Sequence, residues 1–101
     1  MKSSDLIVIT TAEAKPGKEK IVQQASRDVA QAARTQSGCI AYSVLRSAAN
    51  PAVTVHFERW TSKAKRHTFL AGADVKKFVS AVSGAFVESP NPLSYQILDE
   101  A

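Results

Sequence analysis

A chain of 101 residues, 45% hydrophobic and 22% charged, holds one domain around one core, taken here as residues 1–101. The net charge of +4 comes from scattered Lys and Arg with no exposed aromatic ladder, so nucleic acid is not an expected partner. A single cysteine excludes an internal disulfide and a cysteine-rich metal site, and no apolar run approaches the roughly 20 residues that cross a bilayer.

The opening MKSSDLIVITTAEAKPGK has no small-residue cleavage site, so it is not expected to be a signal peptide, and the cytoplasm is the default compartment. Leu6 to Ala14 is β-branched and apolar on both faces, which predicts a strand. Lys15-Pro16-Gly17 is a turn. A helix is expected over 18–36, with Ile21, Val22, Ala25, Val29, Ala32 and Ala33 at three-to-four spacing. Gly38 is expected to cap its end. Cys39 to Arg46 and Ala52 to Trp60 read as two strands of a hairpin around Asn50-Pro51. Thr61 or Ser62 caps a helix to about Ala71, and Gly72 interrupts it. A second helical piece starts near Asp74 and carries Val75, Phe78, Val79, Val82 and Phe86. Pro90 and Pro92 end it, and Leu93 to Leu98 is the last strand.

The order β-α-β-β-α-β is that of an α+β, ferredoxin-like domain: a four-stranded antiparallel sheet with helices on one face. The other face should then be polar. Instead Leu6, Val8 and Thr10 oppose Ile7, Ile9 and Thr11, and Ile40, Tyr42 and Val44 oppose Ala41, Ser43 and Leu45. With no solvated face in either strand, a second copy of the chain is the expected cover.

Strand side chains alternate, so His56, Glu58 and Trp60 share one face while Val53, Val55 and Phe57 form ordinary core on the other. An unperturbed histidine titrates near about 6.5 and suits proton abstraction. The bland alternative is a histidine satisfied by Glu58 or Tyr95. Glu58 either orients His56 or pairs with an arginine. Trp60 serves as core, as pocket wall, or as both. Tyr42 and Tyr95 are candidate donors to a ligand oxygen. His67, between charged neighbours, is expected in solvent. Lys63, Lys65, Arg66, Lys76 and Lys77 read as a solvated helical face, and Cys39 as a structural thiol. No phosphate loop or nucleophile elbow occurs, and no ligand spacing suggests a metal.

Three stretches, AKPGKE (Ala14 to Glu19), SGCIAYSVLR (Ser37 to Arg46) and HFERWTSKAKRHTFLAGADVKKF (His56 to Phe78), stand in the order and spacing that resemble the antibiotic biosynthesis monooxygenase family. The resemblance implies small domains paired sheet to sheet as a dimeric α/β barrel. It also implies cofactor-independent oxygenation of electron-rich aromatics such as quinols and polycyclic phenols, while some relatives degrade haem. In phenol-oxidising relatives a polar residue four before the tryptophan lines the pocket with it, and that position here is His56. The expected catalytic residue is therefore His56 and the expected substrate-binding residues are Trp60, Glu58, Tyr42, Phe69 and Arg66, with no metal and no cofactor. Phe69 and Asp74 stand where many members carry histidines, and Ile9 and Val79 stand where haem-degrading relatives carry Asn and His. Haem degradation is therefore not expected. The alternative is a non-catalytic or differently catalytic dimer that binds a small apolar ligand.

Overall fold

The computed structural model describes residues 4–100. The β-branched segment Leu6–Glu13 (β1) lies inside a four-stranded antiparallel sheet. On one side it pairs with β3 (Val53–Trp60), and on the other with β4 (Asn91–Gln96). The β2 strand (Cys39–Arg46) pairs with β3, giving the order β2-β3-β1-β4. Between these strands come α1 (Glu19–Arg34), α2 (Lys63–Leu70) and α3 (Ala73–Ala81), so the chain runs β-α-β-β-α-α-β as a ferredoxin-like fold.

Register fixes which side chains share a face. Thr10 lies opposite His56, which lies opposite Val44, and Val8 lies opposite Glu58, which lies opposite Tyr42. The register of β2 against β3 is broken once. Cys39 pairs with Trp60 and Ala41 with Arg59, which leaves Ile40 as the extra residue of a bulge.

The helices cover the face that carries His56, Glu58 and Trp60. Helix α1 presents Val22, Ala25, Ser26, Val29, Ala30 and Ala33, all buried, at alternating three- and one-residue steps. Small side chains let it lie close to the sheet. Two clusters result: Trp60, Tyr42 and Phe69 with Val29, Ala30 and Ala33, and Val22 and Ala25 with Ala14, Val82 and Ala85. Ile21, expected on this stripe, is 46% exposed.

The opposite face has no helix, and this corrects the reading of Val53, Val55 and Phe57 as ordinary core. They share that open face with Ile9, Leu45, Leu93 and Tyr95, and are only half-buried. Leu45, Leu93 and Tyr95 are 54%, 50% and 46% exposed.

Ends of elements moved for local reasons. Helix α1 stops at Thr35, whose N–H donates to the Ala32 carbonyl at 3.2 Å while the Gln36 N–H donates to that of Ala33 at 3.0 Å, and Gly38, at φ +91, belongs to the turn into β2 instead of capping the helix. Ser62 caps α2 by accepting from the Lys65 N–H at 3.2 Å. Helix α3 ends before Val82, and Phe86 bridges back to Ala14. The last strand starts two residues early, at Asn91. As an edge strand it tolerates Pro92, which has no N–H to donate.

Candidate functional site

Between the sheet and helices α2 and α3 lies a cavity of about 290 Å³. That is at the small end of the roughly 300–1,000 Å³ usual for small-molecule sites. Its apolar side is built from Val29, Phe69, Val75 and Phe78, with Leu70 and Val79 at 39% and 58% exposure on its rim. Its polar side is built from strand residues: Thr10, Tyr42, Thr54, His56 and Glu58, joined by Arg66 from α2.

His56 uses both ring nitrogens. Nδ1 lies 2.7 Å from the Tyr42 hydroxyl, and Nε2 lies 3.0 Å from Ser26 Oγ on α1. The Phe78 ring stands edge-on to the imidazole, centroids 5.7 Å apart. Burial holds the His56 pKa below its ordinary value, against a smaller upward pull from the Glu58 carboxylate, so the ring is neutral at pH 7. Burial, reinforced by the same carboxylate, pushes the Tyr42 phenol well above its ordinary range, and it keeps its proton. The Tyr42 backbone is tied to α1 by Arg34, whose Nε donates to the Tyr42 carbonyl at 3.0 Å.

Glu58 belongs to a second network. Arg66 Nε donates to its Oε1 at 2.9 Å and Nη2 to its Oε2 at 3.2 Å, while Trp60 Nε1 donates to Oε1 at 2.9 Å. A carboxylate that is 3% exposed needs such a set, and a bidentate guanidinium supplies the strongest part of it. Of the two readings of Glu58, the arginine pair is the one observed. Arg66 thereby leaves the solvated cationic face on which Lys63, Lys65, Lys76 and Lys77 remain exposed.

Five of the six expected site residues therefore line one cavity: His56, Tyr42, Glu58, Arg66 and Phe69. Trp60 does not. It is 0% exposed, tilted against Phe69 with centroids 5.5 Å apart, and stands behind the cavity wall, where it fixes Glu58. Tyr95 lies on the open face and cannot be the partner of His56. His67 is exposed, as expected. Cys39 is half-buried, with its thiol pKa pushed up chiefly by burial. Ser26 was not among the expected residues. A serine inside an alanine-rich apolar stripe was its only signal. Among the described residues no three of His, Cys, Asp and Glu converge as metal ligands, and no helix is long and apolar enough to cross a membrane.

Residues 5–81 match the antibiotic biosynthesis monooxygenase family. Curated proteins give no significant sequence match. Among solved structures, a Nitrosomonas europaea protein named provisionally as an antibiotic biosynthesis monooxygenase superposes with a TM-score of 0.91 at 18% identity, covering 97% of this chain and 94% of that one. A Mycobacterium tuberculosis protein gives 0.89 at 20% identity, covering 97% and 99%. A Deinococcus radiodurans protein with the same provisional name gives 0.85 at 23% identity, covering 95% of each chain. At these identities the likeness establishes the fold alone.

Proposed function

The chain belongs to the antibiotic biosynthesis monooxygenase family, and from that membership we propose that it is a cofactor-independent monooxygenase acting on a small electron-rich aromatic, a quinol or a polycyclic phenol. The observation that carries the reading is the cavity itself: aromatic and apolar on the helix side, with the Tyr42–His56 pair opposite. A phenol becomes its own electron source once its oxygen carries negative charge, because a phenolate can pass an electron to O₂. The protein then has to exclude water, hold the ring and govern that ionisation. Phe69 and Phe78 hold the ring. His56 governs the ionisation through Tyr42, since its own nitrogens are both engaged. Arg66 adds a positive charge on the cavity wall, and Glu58 and Trp60 fix its position.

The domain acts, in this reading, as a homodimer in the cytoplasm, with the open sheet face covered by a second copy. The second reading is a dimer that binds a small apolar ligand without oxidising it. The engagement of both His56 nitrogens by protein groups favours it. Oxygen uptake with metal-free dihydroxynaphthalenes and anthrones, with and without protein, separates the two. Acceleration over the uncatalysed rate is the expected result. Saturable binding with no acceleration would leave the ligand-binding reading standing.

A further inference from the structure

From the hydrogen bonds around Ser26 we infer that the chain Ser26–His56–Tyr42 has a direction. It runs from α1 toward the cavity and presents the Tyr42 proton to the ligand, so the cavity selects an acceptor oxygen, a phenolate or a ketone, over a neutral hydroxyl. The argument begins at the buried end. Ser26 is 0% exposed and does not line the cavity. Among the described residues its hydroxyl has one hydrogen-bond partner, His56 Nε2 at 3.0 Å, and no backbone carbonyl of its own helix accepts from it. A buried hydroxyl proton without an acceptor is costly. Ser26 therefore donates to Nε2, and Nε2 carries no hydrogen.

The rest follows from a neutral ring holding one proton. Burial keeps His56 neutral, so the proton sits on Nδ1. Nδ1–H points at the Tyr42 oxygen, 2.7 Å away. Tyr42 accepts there and its own O–H is left to donate. The hydroxyl has no other partner among the described residues, and Tyr42 lines the cavity. Each donation polarises the next, which strengthens the final donor. In this arrangement Ser26 is a positioning residue, and His56 supports a donor instead of abstracting a proton. The phenolate that reacts with O₂ is captured and stabilised in ionised form. The inference rests on the proposed aromatic ligand only for what occupies the cavity, because the direction of the chain stands on the protein alone.

Other groups near His56 matter to the test. Thr10 and Val44 flank it on β1 and β3's other neighbour β2, Phe78 covers it from α3, and the charges in the cavity wall are Glu58 and Arg66. Arg66 also favours a phenolate, so the contribution of Tyr42 must be read as a difference.

Imidazole nitrogen and carbon chemical shifts of the labelled protein report the tautomer of His56 without any ligand. The expected result is the Nδ1–H form, with Ser26→Ala moving the ring toward Nε2–H. A wild-type ring protonated on Nε2 would overturn the inference. The second measurement uses 4-nitro-1-naphthol, whose ionised form is coloured, titrated with and without protein. Bound to the wild type, its ionisation should fall by about 1–2 pH units more than when bound to Tyr42→Phe. An equal shift in both proteins would assign the effect to Arg66 and overturn the inference, as would stabilisation of the neutral naphthol or no binding. The proposed oxygenase activity fails separately: the tautomer and the shift would stand while no quinol is oxidised.

Discussion

At the scale of single residues, the decisive burial is that of Glu58. Its side chain is 4% exposed, against 16% for Arg66. Removing the cation leaves a carboxylate in low dielectric with the Trp60 N–H as its remaining partner, so Arg66→Met should destabilise the fold by about 3–5 kcal/mol. Urea unfolding measures this, and the double variant with Glu58→Gln should recover much of the loss. His56 gives a pH effect of opposite character. Its native pKa is depressed, so below about 6.5 the unfolded chain takes up a proton before the folded one. The stability contributed by the neutral ring is complete above that pH. It declines as the pH falls through the depressed native value. Thermal unfolding between pH 8 and pH 5 should show this slope, and His56→Asn should flatten it. Both residues were legible in the sequence as members of one row, because period two says which side chains travel together. Their partners were not. Arg66 comes from a helix whose rotation about its axis the strand pattern does not determine, and Ser26 looks like any small residue on an alanine-rich stripe.

At the scale of elements, the order of strands and helices was readable from hydrophobic period and breaker residues, and the break at Gly72 between α2 and α3 fell where the sequence put it. Boundaries were less legible where tertiary contact overrides local signal. Val82 and Phe86 continue an apolar spacing past the end of α3, yet the chain leaves the helix so that Phe86 can bridge to Ala14. Gly38 shows why a glycine need not be a helix cap. Its φ is +91, and a Cβ there would lie 2.5 Å from Lys65 Cγ. The stem of Lys65 crosses the turn, and its Nζ reaches Ser37 Oγ at 3.3 Å. A left-handed L-residue costs about 1–2 kcal/mol before any clash. Gly38→Ala should therefore lower the thermal midpoint by more than about 4 °C, at roughly 4–8 °C per kcal/mol for a domain of this size. Gly84→Ala, with φ +72 and open space around it, should cost less. Calorimetry on the pair separates backbone strain from steric conflict.

At the scale of the whole molecule, the sheet has two apolar faces and one helical layer. The both-face-apolar strands were legible as a demand for cover. Which face the helices would take was not, because parity groups residues without saying which group is inside. The open face presents Leu45, Leu93 and Tyr95, each about half exposed, around half-buried Val55 and Phe57. Light scattering at micromolar concentration should give twice the 10.9 kDa chain mass. Leu45→Asp should shift the population toward monomer, because a carboxylate in a sheet-to-sheet interface loses its water. A wild-type chain that stays monomeric would remove the second copy from the account.

The bulge at Ile40 has a consequence for how this protein tolerates change. Sheet alternation works like a two-letter reading frame, and β2 shifts frame once, at the extra residue. Before it, Cys39 shares a face with Trp60, and after it, Tyr42 shares a face with Glu58. The insertion lets two residues three apart in sequence face the same way; without it Cys39 and Tyr42 would stand two apart and share that face by regular alternation. Deleting Ile40 should therefore leave Tyr42 on the helix side, where its phenol keeps titrating well above the ordinary value of about 10. Ultraviolet titration of the phenol would check this. Substitutions at Ile40, itself 49% exposed, should be almost silent. The extra residue can be respelled or removed, because the pairs on either side of it already stand in one frame.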